Sequence, residues 1–151
     1  MKRSKHSKVA ATDEAAEQLL WDCLKEIPFL HVSKVEQRLI AAPGRPEITA
    51  RVRVGENERL ILAEVKPNGQ TRLVREAIAD VVKYRRTYAD AYGIVIVPLI
   101  SPDAARVCLQ EGVGYLDYAG NCLLSFDSVF VHKTGRVTES NRRKRSRSWY
   151  S

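Results

Sequence analysis

The chain has 151 residues, one domain's worth and long enough to bury a core without disulfide or metal staples. An apolar fraction of 44% excludes wholesale disorder, and no apolar run reaches the ~18 to 20 residues that a membrane span needs. The net charge of +7 is confined to the ends: residues 1–9 carry four basic side chains, residues 141–151 carry five, neither stretch holds an acid, and the body between them comes to −2.

Such basic ends can grip phosphates through counterion release, or can simply be solvated, so charge alone argues only weakly for a nucleic-acid partner. The opening MKRSKHSK leads into no hydrophobic signal segment, and the chain reads as soluble and cytoplasmic, with no membrane partner. Cys23, Cys108 and Cys122 are odd in number and widely spaced, with no CxxC pair. That spacing argues against a structural zinc site and for reduced thiols.

In chain order, residues 1–11 read as a disordered basic tail. A helix is predicted from Thr12, as N-cap, to Ile27, with Asp13 and Glu14 in the first turn and a stripe of Ala16, Leu20, Cys23, Leu24 and Ile27. Pro28 stops it. Phe29, Leu30 and Val32 suggest a short strand, after which the pattern blurs, and residues 41–45 read as a loop. Ile48, Ala50, Val52 and Val54 alternate with Thr49, Arg51 and Arg53, the signature of a half-buried strand. A turn over Gly55–Glu58 leads into Leu60–Ala63, a continuous apolar run typical of a strand covered on both faces. That strand ends in Glu64-Val65-Lys66 before the stop Pro67-Asn68-Gly69.

A long helix is predicted over 71–88, with Val74, Ile78 and Val81 inward, joined by Ala77, Tyr84 and Tyr88. Residues 93–99 form a buried strand. Ser101 as N-cap and Pro102 at the first helical position open a further helix to about Glu111. A terminal strand pair over 113–118 and 122–132 follows, and residues 138–151 read as a basic tail. The order implies an α/β fold with a central mixed sheet flanked by helices.

Chemistry concentrates at the end of the second strand. Side chains alternate along a strand, so Glu64 and Lys66 share the face of Leu60 and Leu62 at its C-terminal rim. Taken alone, the two charges are as well explained by a solvated ion pair. If the Gly55–Glu58 turn closes a hairpin with Val54 opposite Arg59, Glu47 falls opposite Lys66 and Thr49 opposite Glu64. Cross-strand partners share a face ~5 Å apart, so Glu47, Glu64 and Lys66 converge on one patch. Two carboxylates there can hold a hard divalent cation such as magnesium, or manganese, and the lysine can stabilise developing negative charge or orient a water. A register slip of one residue would turn Glu47 to the other face.

Pro46-Glu47, sixteen intervening residues and Glu64-Val65-Lys66 together resemble the PD-(D/E)XK motif of restriction-endonuclease-like nucleases. The resemblance implies an α-β-β-β-α-β core and covers residues 12–136. In that superfamily the two acids ligate magnesium and the lysine serves the water nucleophile. Carried over, this implies Glu47 and Glu64 as metal ligands with the Val65 carbonyl as a third, and Lys66 as the catalytic cation. The segment GVGYLDYAGN, residues 112–121, resembles a group of uncharacterised bacterial proteins with this domain. Two departures stand out. Glu47 occupies a position where the family usually has aspartate. Many relatives keep a glutamine and, four residues later, a tyrosine on the long helix, whereas this chain has Asp80 and Tyr84 at that spacing.

Gln70, Arg72 and Arg75 lie where the start of the long helix could receive a phosphate, and Arg142, Arg143, Lys144 and Arg145 could hold DNA from the tail. Arg85 and Arg86, further along the helix, are a less direct candidate. Glu17 is a further acid that could join a metal set. Asp117 and Asn121 read as turn-shaping, and no serine or cysteine nucleophile signature occurs. The expectation is a metal-dependent DNA nuclease, with a homodimer left open. The alternatives are a non-catalytic nucleic-acid-binding or regulatory domain that keeps the fold, and a protein–protein interaction module.

Overall fold

The computed structural model describes residues 3–37 and 46–137, with side chains described from Glu14 onward. Seven strands form one sheet whose spatial order follows the chain: β1 (Leu30–Gln37), β2 (Ile48–Val54), β3 (Asn57–Val65), β4 (Tyr92–Val97), β5 (Gly114–Asp117), β6 (Cys122–Phe126) and β7 (Val129–Lys133). The central trio β3-β4-β5 is parallel, and every other neighbouring pair is antiparallel. Parallel neighbours need long crossovers, and these are the helices α2 (Thr71–Thr87) and α3 (Pro102–Glu111). With α1 (Arg3–Lys25) in front, the core reads α-β-β-β-α-β, and the mixed α/β sheet flanked by helices is the fold expected from the sequence.

The two faces of the sheet are covered by different helices. Ala16, Leu20 and Leu24 of α1 pack on Ile48, Ala50, Val52, Ile61, Ala63, Ile94, Ile96 and Leu116. On the opposite face, Val74, Ala77, Ile78 and Val81 of α2, with Ala104, Val107 and Cys108 of α3, cover Val95, Val97 and Tyr115. Burial of β4 on both sides explains why its sequence is an unbroken apolar run. The predicted Ser101 cap is present, its hydroxyl accepting from the Ala104 N–H at 3.1 Å.

Several boundaries differ from the sequence reading. Helix α1 begins at Arg3 rather than Thr12, so Asp13 and Glu14 are interior to it. The blurred stretch after Val32 is strand β1. Its pairing shifts between Val32 and Lys34, so the in–out alternation changes phase at a bulge, where the Ser33 hydroxyl donates to the Arg51 carbonyl. The expected terminal pair is three strands, because the chain turns again at Asp127 (φ +50°) between β6 and β7.

The β2–β3 register also differs. The turn is the two residues Gly55-Glu56, with Val54 opposite Asn57, rather than four residues with Val54 opposite Arg59. Gly55 takes φ +63°, the left-handed geometry that lets a two-residue turn match strand twist. Residues 38–45 and the tail 138–151, including Arg142, Arg143, Lys144 and Arg145, lie outside the described residues. No described helix is long and apolar enough to cross a membrane.

Candidate active site

The corrected register moves the hairpin partners by two residues, a full side-chain period, so every side chain keeps its face. Ile48 pairs with Ala63, and one step beyond the ladder Glu47 meets Glu64 rather than Lys66. The contacts bear this out. The Glu47 N–H donates to Glu64 Oε2 at 3.2 Å, and the Val65 N–H donates to Glu47 Oε1 at 3.1 Å. The longer glutamate arm at position 47 is thus spent reaching across the hairpin mouth to the backbone of the neighbouring strand.

Glu64 is buried to 4% exposure on the face covered by α2, in line with Leu60 and Leu62. Tyr84, from the last turns of α2, donates its hydroxyl to Glu64 Oε1 at 2.7 Å. Burial pushes the Glu64 carboxyl up from the ordinary 4.5 to about 7; the Tyr84 hydroxyl pulls it back in part, and the neighbouring Glu47 charge pushes it further up. Burial and the facing carboxyl thus both disfavour the ionised form of Glu64.

Lys66 continues the strand by donating its N–H to the Ile96 carbonyl at 3.0 Å, so its backbone is fixed to β4. Its ammonium lies 3.7 Å from Glu76 Oε1 on α2, and the same carboxylate takes Arg72 Nη1 at 3.3 Å on Oε2. Glu76 thus holds Lys66 at the rim. Tyr84 and Glu76 were not singled out from the sequence as site residues. Tyr84 falls at the spacing of the family's helix tyrosine but shares its face of α2 with Val74 and Val81 and reads there as core; Glu76 shows only its helical spacing from Arg72, and its link to Lys66 is tertiary.

Of the phosphate candidates, Gln70 is the exposed N-cap residue of α2, Arg72 is engaged with Glu76, and Arg75 is exposed on the same turn. Arg85 instead donates to the Gly112 carbonyl at the end of α3. Glu17 lies with Trp21 and Val35 beside α1 rather than with Glu47 and Glu64. Among the described residues no cluster of three or more Asp, Glu, His or Cys side chains could by itself hold a metal. The acid set here is two, which suits magnesium, since that ion is commonly held by one or two carboxylates and keeps several waters.

At the C-terminal ends of the parallel strands a groove of about 890 Å³ opens between the start of α2, helix α3 and the segment after β7, lined in part by Gln70, Ile100, Arg106, Tyr115, His132 and Arg136. Its floor is organised by Asp117, 1% exposed, whose carboxylate accepts from the N–H groups of Ile100, Ala119 and Asn121 at 2.8–3.0 Å and from the Asn121 amide at 2.7 Å. Asn121 in turn makes a two-way bond with the backbone of Arg136. The turn-shaping role expected for Asp117 and Asn121 thus extends to fixing the β4–α3 loop and the strap after β7.

No family model matches the chain, and no curated protein matches it either. Among solved structures the chain is similar to EndoMS in its apo form, at 20% identity and a TM-score of 0.43, over 67% of this chain and 45% of that one. It is similar also to an EndoMS–dsDNA2 complex, at 18% identity and a TM-score of 0.42, over 66% of this chain and 43% of that one. The chain spans less than half the length of these two, and the likeness concerns the chain path alone.

Proposed function

We propose that the protein is a metal-dependent nuclease that hydrolyses DNA phosphodiester bonds at Glu47, Glu64 and Lys66. The observation that carries this reading is the pair of carboxyl groups held against each other at the mouth of the β2–β3 hairpin, one of them buried. An all-oxygen donor set fits a hard divalent cation. Glu47 and Glu64 would hold magnesium or manganese, with the Val65 carbonyl as the third ligand that the family resemblance implies. Such an ion, when bound, would supply charge neutralisation at the phosphate and a more acidic water.

The chain's own residues do the rest. The Tyr84 hydroxyl fixes the orientation of the Glu64 carboxylate that would hold the ion. Lys66, released from Glu76 or shared with it, places a positive charge where the attacked phosphate becomes more negative. Gln70, Arg72 and Arg75 at the start of α2 hold neighbouring phosphates, where helix N–H groups favour anions.

The test is cleavage of plasmid and single-stranded DNA with magnesium, against a chelator control. Native protein is expected to cut, and Glu64→Gln and Lys66→Ala to cut at least ~100-fold more slowly, the usual cost of losing one charge-stabilising group. No cutting by the native chain, or equal cutting by Lys66→Ala, rejects the proposal.

A second reading has its own support: the site is satisfied from within, Glu47 by the Val65 N–H and Lys66 by Glu76, and the body of the chain is slightly acidic. A non-catalytic nucleic-acid-binding domain would then show salt-sensitive DNA binding with no metal-dependent cleavage.

A further inference from the structure

The groove at the C-terminal ends of the parallel strands takes no part in the chemistry proposed above, yet it begins at the same loop. Lys66 directly follows β3, and Asn68, Gly69 and Gln70, the next residues along, line the groove. Its walls are mainly apolar: Ile100, Pro102, Ala105 and Leu109 on the α3 side, and Val137 on the strap after β7. Leu109 is 56% exposed there, an apolar side chain that the fold leaves uncovered.

No aspartate or glutamate lines this groove, whereas Arg106 and Arg136 do. In a body whose net charge is −2, that is a local reversal of sign. The Asp117 carboxylate under the floor is taken up by the N–H groups of Ile100, Ala119 and Asn121 and by the Asn121 amide. Arg106 meets Asp103 at 3.0 Å, but both side chains are exposed, and such a pair costs little to release. Arg136 makes no ion pair among the described residues. Its place is nevertheless built. Its N–H and carbonyl both bond the Asn121 amide at 2.9 Å, and its stem lies over Gly120, where a Cβ would come within 2.9 Å of Arg136 Cδ.

We propose that the groove holds a single-stranded stretch of the DNA being cut, an inference that rests on the nuclease reading above. Paired bases are stacked inside a duplex, which offers a protein phosphates and base edges and gives an apolar wall little to cover. Unpaired bases have their faces free, and apolar side chains, the His132 ring and arginine planes can cover them. The phosphates of the same strand then meet Arg106 and Arg136. A volume of about 890 Å³ matches a small-ligand site, and the carboxyl ends of the strands are where open α/β sheets take their ligands. The chain's own residues 141–151 are a poorer occupant despite Trp149 and Tyr150, because their five cations would face two arginines.

The experiment measures fluorescence anisotropy of labelled DNA with the full-length protein and a chelator present, so that binding is read without cutting. The two probes carry equal numbers of phosphates, one a blunt duplex and the other a duplex with a single-stranded extension, and contacts from the basic ends are common to both. The extended probe is expected to bind about tenfold more tightly, the gain from covering a base. Arg136→Gln and Leu109→Glu should each bring the extended probe down towards the affinity of the blunt one, and Arg136→Lys should recover part of the difference. Both side chains are exposed, so these variants should melt with the native protein. Equal affinity for the two probes, or a preference that survives both substitutions, overturns the proposal. Magnesium-dependent cutting with no preference for the extension would remove the groove's role alone. A preference lost in the variants, with no cutting by the native chain, would keep the groove as a single-stranded DNA site and remove the nuclease chemistry alone.

Discussion

Glu64 is a carboxyl group that the fold first buries and then sets against a second carboxyl, and this has a consequence for stability. Its value in the fold, about 7, lies above the ordinary 4.5, so between those two pH values the folded protein binds more protons than the unfolded chain. The sign follows: this group's contribution is complete below about pH 4.5, declines as pH rises, and is lost above about pH 7. Urea midpoints measured from pH 4.5 to 8 with chelator present should fall across that interval, and Glu64→Gln, which cannot ionise, should flatten this part of the decline. An equal slope in the variant would show that Glu64 titrates as an exposed acid. Of the residues that set this behaviour, Glu47 and Glu64 stood out in the sequence through their spacing around a hairpin. Tyr84 stood out only by matching the spacing of the family's helix tyrosine, because a tyrosine on the buried stripe of a helix looks like core until the strand beneath it is known to end in an acid.

At the scale of elements, the site depends on how tightly the strand ends are joined to the helix starts. Gly69 pairs with Ile100 in an isolated parallel bridge, and its carbonyl accepts from the Ser101 N–H at 3.0 Å. A Cβ at Gly69 would stand 2.0 Å from the Leu99 carbonyl oxygen and 2.6 Å from Ile100 Cα, both backbone atoms that cannot rotate aside. Gly69→Ala must therefore part the start of α2 from the β4–α3 loop, at about 1–3 kcal/mol by the cost of overpacking. Ser101→Ala removes only the cap bond to Ala104 and should cost about 1 kcal/mol. Urea midpoints compare the two, and a Gly69→Ala protein as stable as the native one would mean that the loop yields freely. The hairpin differs from expectation without moving a side chain to the wrong face: the turn has two residues where the sequence predicts four, and a two-residue shift returns each residue to its own side. The bulge in β1 had the opposite effect, since changing phase within a strand erases the very alternation by which a strand is recognised.

For the whole molecule, the distribution of charge separates two sources of DNA affinity. The body is slightly acidic and the basic excess lies at the ends. If residues 141–151 reach DNA, each cation that neutralises a phosphate adds about 0.9 to the slope of log affinity against log salt. Replacing Arg142, Arg143, Lys144, Arg145 and Arg147 together by glutamine should then reduce that slope by about 4.5 and leave cleavage, at saturating DNA, unchanged. Fluorescence anisotropy across a salt series measures it, and an unaltered slope would place DNA contact on the body alone.

The sequence by itself determined the class of fold, the buried central strands, the capped start of α3 and the faces on which Glu47, Glu64 and Lys66 lie. These follow from periodicity and from local backbone chemistry, which act over a few residues. Only the tertiary structure decided that Glu47 faces Glu64 and that Tyr84 and Glu76 hold the two ends of the Glu64–Lys66 strand terminus. Those contacts join residues brought together by packing on a sheet, with α1 on one face and α2 and α3 on the other, and nothing in their spacing along the chain records which of them will touch.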